Sequence, residues 1–176
     1  MAFYLVTGGA GFIGSHIVEE LIRRGERVRV LDNFSTGRRE NLAPVLEHVD
    51  LVEGDLRDLA TVRRAMEGVD YVLHQAALAS VQRSVDDPVA AHTANATGTL
   101  HLLIAARDAG VKRVVYASSS SVYGDSPVLP KQEDMRAMMP RIVKSHALLK
   151  VLLGWSKLTQ PVQSVPYHPV GRHEEK

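Results

Sequence analysis

Thr7-Gly8-Gly9-Ala10-Gly11-Phe12-Ile13-Gly14-Ser15 stands between an apolar run, Phe3 to Val6, and a stretch in which Phe12, Ile13, Ile17, Val18, Leu21 and Ile22 recur at helical spacing. The run predicts a strand, the recurrence predicts a helix with its Ile/Val/Leu stripe buried, and the glycines predict the tight turn between them. Gly25 marks the helix stop.

Working outward, the same alternation continues. Val28 to Leu31 reads as a second strand closed by Asp32 and Asn33, and Phe34 to Asn41 as a loop leading into a short helix. Leu51 and Val52 form a third strand ending at Gly54-Asp55, Ala60 to Met66 a helix, Tyr71 to Leu73 a fourth strand, and Ala76 to Ser80 a loop. Asp86 and Asp87 can cap a long helix beginning at Pro88, with Val89, Ala96, Leu100, Leu103 and Ile104 on one face and Gly110 at its end. Val114 to Ala117 is the fifth strand, running into Ser118-Ser119-Ser120-Ser121-Val122-Tyr123-Gly124. Strands alternating with helices predict an α/β fold, a doubly wound parallel sheet covered on both faces.

Composition bounds the function. A chain of 176 residues can bury one sizeable core, and 21 Lys and Arg against 20 Asp and Glu leave a formal charge of +1. That charge supplies no field for nucleic acid or a membrane surface, so neither is expected as a partner. Without cysteine there is no disulfide, thiolate nucleophile or cysteine zinc site. The eight histidines show no paired metal-binding pattern, so no metal is expected. The sequence shows no signal-peptide pattern or bilayer-length apolar run, and a cytoplasmic location is the expectation.

The glycines satisfy Gly9-x-Gly11-x-x-Gly14 and the wider Gly8-x-x-Gly11-x-x-Gly14. Glycines at a strand-to-helix turn let a backbone approach a pyrophosphate, while the helix start offers unpaired N–H groups and the positive end of its dipole. A tight turn without a ligand would look the same in this stretch alone. Asp32, at the end of the second strand, favours the dinucleotide, because a carboxylate there accepts hydrogen bonds from ribose hydroxyls. It would also repel a 2′-phosphate, which favours NAD over NADP. Arg38 and Arg39 read as solvated residues at a helix start.

With these residues in place the chain resembles the extended short-chain dehydrogenase/reductase family, and within it the NAD-dependent nucleotide-sugar epimerases and dehydratases of the UDP-glucose 4-epimerase type. The resemblance covers residues 1 to about 134. It rests on the glycine turn, Leu31-Asp32-Asn33 with Ser35-Thr36-Gly37, Gly54-Asp55-Leu56, His74-Gln75-Ala76-Ala77, Asn95-Ala96-Thr97-Gly98-Thr99 and the serine-rich stretch through Gly124. It implies a Rossmann-type NAD-binding domain over 1–134. Its cofactor residues would be Gly8, Gly11, Phe12, Ile13, Gly14, Asp32, Asn33, Ser35, Thr36, Gly37, Asp55, Leu56, Ala76, Ala77 and Asn95. Asp55 and Leu56 would contact the adenine, Ala76 and Ala77 line the cofactor, and Asn95 help hold the nicotinamide half. Read without the resemblance, Asp55 is equally a helix cap and Asn95 a polar residue on a helix face.

The family's hydride chemistry uses a serine or threonine at the end of strand five and a Tyr-x-x-x-Lys pair, in which lysine tunes a tyrosine general acid/base. Ser119 matches the serine by its position before Tyr123. Four residues beyond Tyr4, Tyr71, Tyr116, Tyr123 and Tyr167 stand Gly8, Gln75, Ser120, Pro127 and Gly171, so no tyrosine has the lysine. The family positions fall near Val143 and Ala147, and Lys144, Lys150 and Lys157 read as an exposed helix face. Ser120 and Ser121, where a dehydratase would carry an acidic pair, favour epimerase ancestry. Residues 135–158 are read as at most one helix and 159–176 as an irregular tail. The expectation is therefore a truncated or frame-disrupted relative without the C-terminal substrate domain. It would bind NAD, with a nucleotide-sugar and a homo-oligomer both possible, and be impaired in turnover. A non-catalytic NAD-binding fragment is the other reading.

Overall fold

The computed structural model describes residues 1–118 together with Pro130, Gln132 and Met135. Residues 1–117 form one compact unit. Its elements are β1 (Phe3–Thr7), α1 (Phe12–Arg23), β2 (Arg27–Asp32), a run of 3₁₀ turns (Arg39–His48), β3 (Val49–Glu53), α2 (Leu59–Met66) and β4 (Tyr71–His74). There follow α3 (Val81–Asp86), α4 (Pro88–His92), a π-turn (Thr93–Thr97), α5 (Gly98–Asp108) and β5 (Arg113–Tyr116). Among the described residues all the strand pairings are parallel, in the order β3-β2-β1-β4-β5.

The two-residue period of a strand divides the core into two layers. Phe3, Leu5, Leu31 and Val72 face one side and pack with Val62, Ala65 and Met66 of α2 and Leu102, Ala105 and Ala106 of α5. Val6, Val28 and Val30 face the other and pack with Val18 of α1 and with Leu42 and Val45 of the 3₁₀ run. The expected doubly wound sheet is thus present. Because the winding reverses at β1, the C-terminal ends of β1 and β4 flank the crevice in which such sheets hold ligands.

Three helical expectations are corrected. Phe12 and Ile13 lie outside the buried stripe of α1, 78% and 63% exposed, because the first turn starts beyond the sheet's edge and only from Gly14 onward does the helix cover it. Ser80 accepts from the Arg83 N–H and starts α3, a helix the sequence reading missed, and Asp86 ends that helix instead of capping the next. Asp87 alone caps α4, accepting from the Ala90 N–H at 2.9 Å with Pro88 behind it.

The long helix itself carries the π-turn, which adds a residue to one turn and rotates all that follows. The buried residues along it are Ala91, Leu102, Leu103, Ala105 and Ala106, whereas Val89, expected on the same face as Leu103, is 71% exposed. Replacing Asp87 by Ala is expected to cost about 1 kcal/mol, the usual loss for an N-cap carboxylate, read as a lower urea midpoint.

Candidate functional site

Gly8 closes β1 with φ +69°, its N–H donating to the Leu31 carbonyl at 2.9 Å and its carbonyl accepting from the Gly11 N–H at 3.1 Å. A methyl group on Gly8 would lie 2.7 Å from the Ala76 nitrogen, so the loop after β4 is pressed against the turn after β1. One on Gly14 would overlap the Gly8 carbonyl oxygen and lie 2.8 Å from the Gly9 Cα. The glycines thus allow α1 to begin directly on the turn. Gly11 is its N-cap, no side chain caps it and its first turn holds no acidic residue. The N–H groups of Phe12, Ile13 and Gly14, which no helical carbonyl can reach, emerge at the positive end of the dipole.

Asp32 ends β2 beside this turn, only 8% exposed. Its Oδ2 accepts from the Ala10 N–H at 2.9 Å and its Oδ1 from the Phe34 N–H at 2.8 Å, fixing the carboxylate against the turn with acceptor capacity left on both oxygens. Asn33 repeats the local motif, its Oδ1 accepting from the Ser35 N–H at 3.0 Å. These two turns bring Phe34 to φ +54°, the one non-glycine residue with positive φ among those described. Gly37 returns the loop onto Ala10 and Asp32, while Ser35 and Thr36 stay exposed. Arg39 stays exposed, as expected, while it stacks on the Phe34 ring at 4.3 Å and pairs with Glu53 at the surface.

Asp55 follows β3. The Arg57 guanidinium holds its carboxyl well below the usual carboxylate range, donating from Nε at 2.9 Å and Nη2 at 2.7 Å. The Arg57 backbone N–H also donates to Oδ1 at 2.8 Å, and Asn33 Nδ2 adds a fourth bond at 2.7 Å, tying the ends of β2 and β3 together. The α2 cap is Asp58, not Asp55. The Leu56 side chain lies in the core, where the missing Cβ of Gly98 makes room for it.

From the buried pair between β1 and β4 a polar chain that sequence reasoning missed runs outward to α5. Thr7 and His74 are register partners, and Thr7 Oγ1 lies 2.6 Å from His74 Nδ1. His74 Nε2 lies 3.0 Å from Thr99 Oγ1, which donates to the Asn95 carbonyl at 2.6 Å. The Thr99 proton is thereby committed, so the network assigns His74 the Nε2–H tautomer, with Nδ1 accepting from Thr7. Burial pushes the imidazole down to about 4. The only trace in sequence was a polar residue at the same end of two neighbouring strands.

Asn95, placed by the π-turn, accepts from the Leu78 N–H at 2.8 Å and donates to the Leu78 carbonyl at 3.2 Å. Ala76 and Ala77 lie in the loop this clamps, Ala76 half-buried against Gly8 and Ala77 exposed. The structure thus gathers the expected residues from Gly8 to Gly14, Asp32 to Gly37, Asp55 and Leu56, Ala76 and Ala77, and Asn95 at the C-terminal edge of one sheet. Ser119, Tyr123 and the stretch around Val143, Lys144 and Ala147 lie outside the described residues. Among the described residues no group of three acidic or histidine side chains could hold a metal ion, and no helix is long and apolar enough to cross a membrane.

Comparison with known proteins matches this geometry to one family. The model of the NAD dependent epimerase/dehydratase family matches residues 4–156. A UDP-glucose 4-epimerase of Klebsiella pneumoniae is 41% identical over 136 residues, 73% of this chain and 97% of that one. The crystal structure of the Thermus thermophilus UDP-glucose 4-epimerase, a complex with NAD, superposes with a TM-score of 0.72 at 44% identity over 86% of this chain and 50% of that one. The UDP-glucose-4-epimerase of Stenotrophomonas maltophila, with bound NAD and formylated UDP-arabinopyranose, gives 0.74 at 32% identity over 88% of this chain and 48% of that one. The chain spans about half the length of these solved relatives.

Proposed function

The chain belongs to the NAD dependent epimerase/dehydratase family, and on that premise we propose that it binds NAD across the glycine turn, in a UDP-sugar 4-epimerase-like site impaired in turnover. The observation that carries the reading is the pairing of an uncapped α1 N-terminus with the fixed Asp32 carboxylate on the same turn. The N–H groups of Phe12, Ile13 and Gly14 would hold the pyrophosphate. Asp32 would accept from the ribose hydroxyls and disfavour a 2′-phosphate. Arg39 does not offset this preference, since Phe34 and Glu53 already engage it. Asn33, Ser35, Thr36 and Gly37 would shape the ribose side, and Asp55 and Leu56 the adenine side. Ala76 and Ala77 would line the cofactor, with Asn95 toward the nicotinamide half.

NAD in such a site supplies a reversible hydride acceptor for a sugar hydroxyl. The chain's own part in that chemistry would be Ser119, as a hydrogen-bonding partner of the substrate hydroxyl. No tyrosine of the sequence is followed four residues on by lysine, so the family's general acid/base pair is missing from this chain. The reading is NAD binding with turnover of UDP-sugars slow or absent. The second reading, a non-catalytic NAD-binding protein, rests on the same missing pair.

Titration of the purified chain with NAD and NADP, followed by a UDP-sugar epimerisation assay, tests both readings. NAD should bind more tightly than NADP, and Asp32→Ala should weaken NAD tenfold to a hundredfold, roughly the worth of hydrogen bonds to a charged group. Absence of an NAD effect on the wild type would overturn the cofactor assignment, and epimerisation at ordinary enzymatic rates would overturn the impairment.

A further inference from the structure

We propose that Thr7, His74 and Thr99 form a positioning relay that sets the loop after β4 against the glycine turn, so that the cofactor wall at Ala76 to Leu78 is built from the buried imidazole outward. The proposal rests on the NAD reading for its functional consequence, but its geometry stands independently. The Ala76 N–H points to Thr7 Oγ1 at 3.4 Å. Thr7 Oγ1 donates to His74 Nδ1 at 2.6 Å, and His74 Nε2 donates to Thr99 Oγ1 at 3.0 Å. Thr99 in turn donates to the carbonyl of Asn95, whose side chain grips both backbone groups of Leu78. The two ends of the 76–78 segment are therefore held by opposite ends of one hydrogen-bond chain.

The direction of every bond follows from the tautomer. Neutral imidazole with hydrogen on Nε2 offers one acceptor to β1 and one donor to α5, so each hydroxyl in the chain both donates and accepts. An apolar side chain at position 74 could fill the volume, but it would leave Thr7 and Thr99 without their buried partner. The π-turn contributes the other half of the arrangement. It carries Asn95 out of the core while its backbone carbonyl stays within reach of Thr99. None of the three relay side chains needs to touch NAD, so the role is positioning and not catalytic.

Thr7→Val and Thr99→Val remove one hydroxyl each at constant shape, and Thr7→Ser and Thr99→Ser restore it. Three readouts apply: imidazole nitrogen shifts of His74, amide hydrogen exchange at Ala76 and Leu78 relative to the core strands, and NAD affinity. The expected results are an Nε2–H tautomer at neutral pH and exchange in Thr99→Val that rises at Leu78 more than in the core strands. NAD binding should weaken about fivefold in either valine variant, the worth of one buried hydrogen bond, and recover in the serine variants. An Nδ1–H tautomer would overturn the relay. Exchange that is unchanged, or that rises uniformly through the sheet, would overturn it as well. Should the wild-type chain bind no NAD, the NAD reading fails, while the tautomer and the exchange pattern still decide the relay.

Discussion

Gly14→Ala is expected to destabilise the protein by about 3 kcal/mol or more, the range of the severe single substitutions, even though alanine is the better helix former. In an exposed helix interior the same change would stabilise by up to about 1 kcal/mol. Here the added methyl overlaps the Gly8 carbonyl oxygen and approaches the Gly9 Cα to 2.8 Å, and both are backbone atoms of the turn. No side chain can rotate away to relieve the overlap. The N-terminus of α1 would have to lift from the turn, breaking the Ser15 N–H to Gly11 carbonyl bond and drawing Val18 from its layer. Urea denaturation should show a large fall in midpoint, together with loss of NAD binding. A midpoint equal to or above that of the wild type would show that α1 does not sit on the turn as described.

The second large effect is a loss of stability on mild acidification. Burial holds the His74 imidazole neutral until pH falls to about 4, whereas in the unfolded chain it takes up a proton near 6.5. Between those values the unfolded state binds the extra proton, so stability falls as pH drops from about 6.5 to about 4, and this group contributes no further change below or above that window. The full effect is about 3 kcal/mol. Carboxyls such as Asp55, which Arg57 keeps charged, lose their contribution only at lower pH, as they become protonated. Thermal unfolding midpoints at pH 7.5, 6.5, 5.5 and 4.5 check the prediction. The wild type should lose stability steadily below 6.5, and His74→Gln, less stable at neutral pH, should give a flatter profile. An equal slope in the variant would assign the loss to other groups.

Much of the candidate site's backbone geometry was legible because its signals are local. A glycine turn needs only its own backbone and the first turn of the next helix, and Asp32 is marked by its place at the end of an apolar run. The expectations that failed depend on things a periodic reading cannot see. Phe12 and Ile13 follow the helical period, but that period does not say where a helix begins relative to the sheet beneath it. Val89 and Leu103 share a face only in an unbroken α-helix, and a single π-turn rotates one away from the other. Ser80 and Asp87 are both good caps, and only the packing shows that both are used.

The sequence by itself determined the alternation of strands and helices, the strand-to-helix turn with its glycines, the carboxylate at position 32 and the missing Tyr-x-x-x-Lys. Each is written in neighbouring residues, where steric and hydrogen-bonding preferences act over a few bonds. Only the tertiary structure decided that β1 lies between β2 and β4, so that Thr7 meets His74 across 67 positions of chain and Thr99 closes the line from α5. Parallel pairing joins residues that no local preference connects, and a buried polar group gains its meaning from the partners that replace water around it. For that reason the turn could be read along the chain, while the relay beneath it could be found only in the fold.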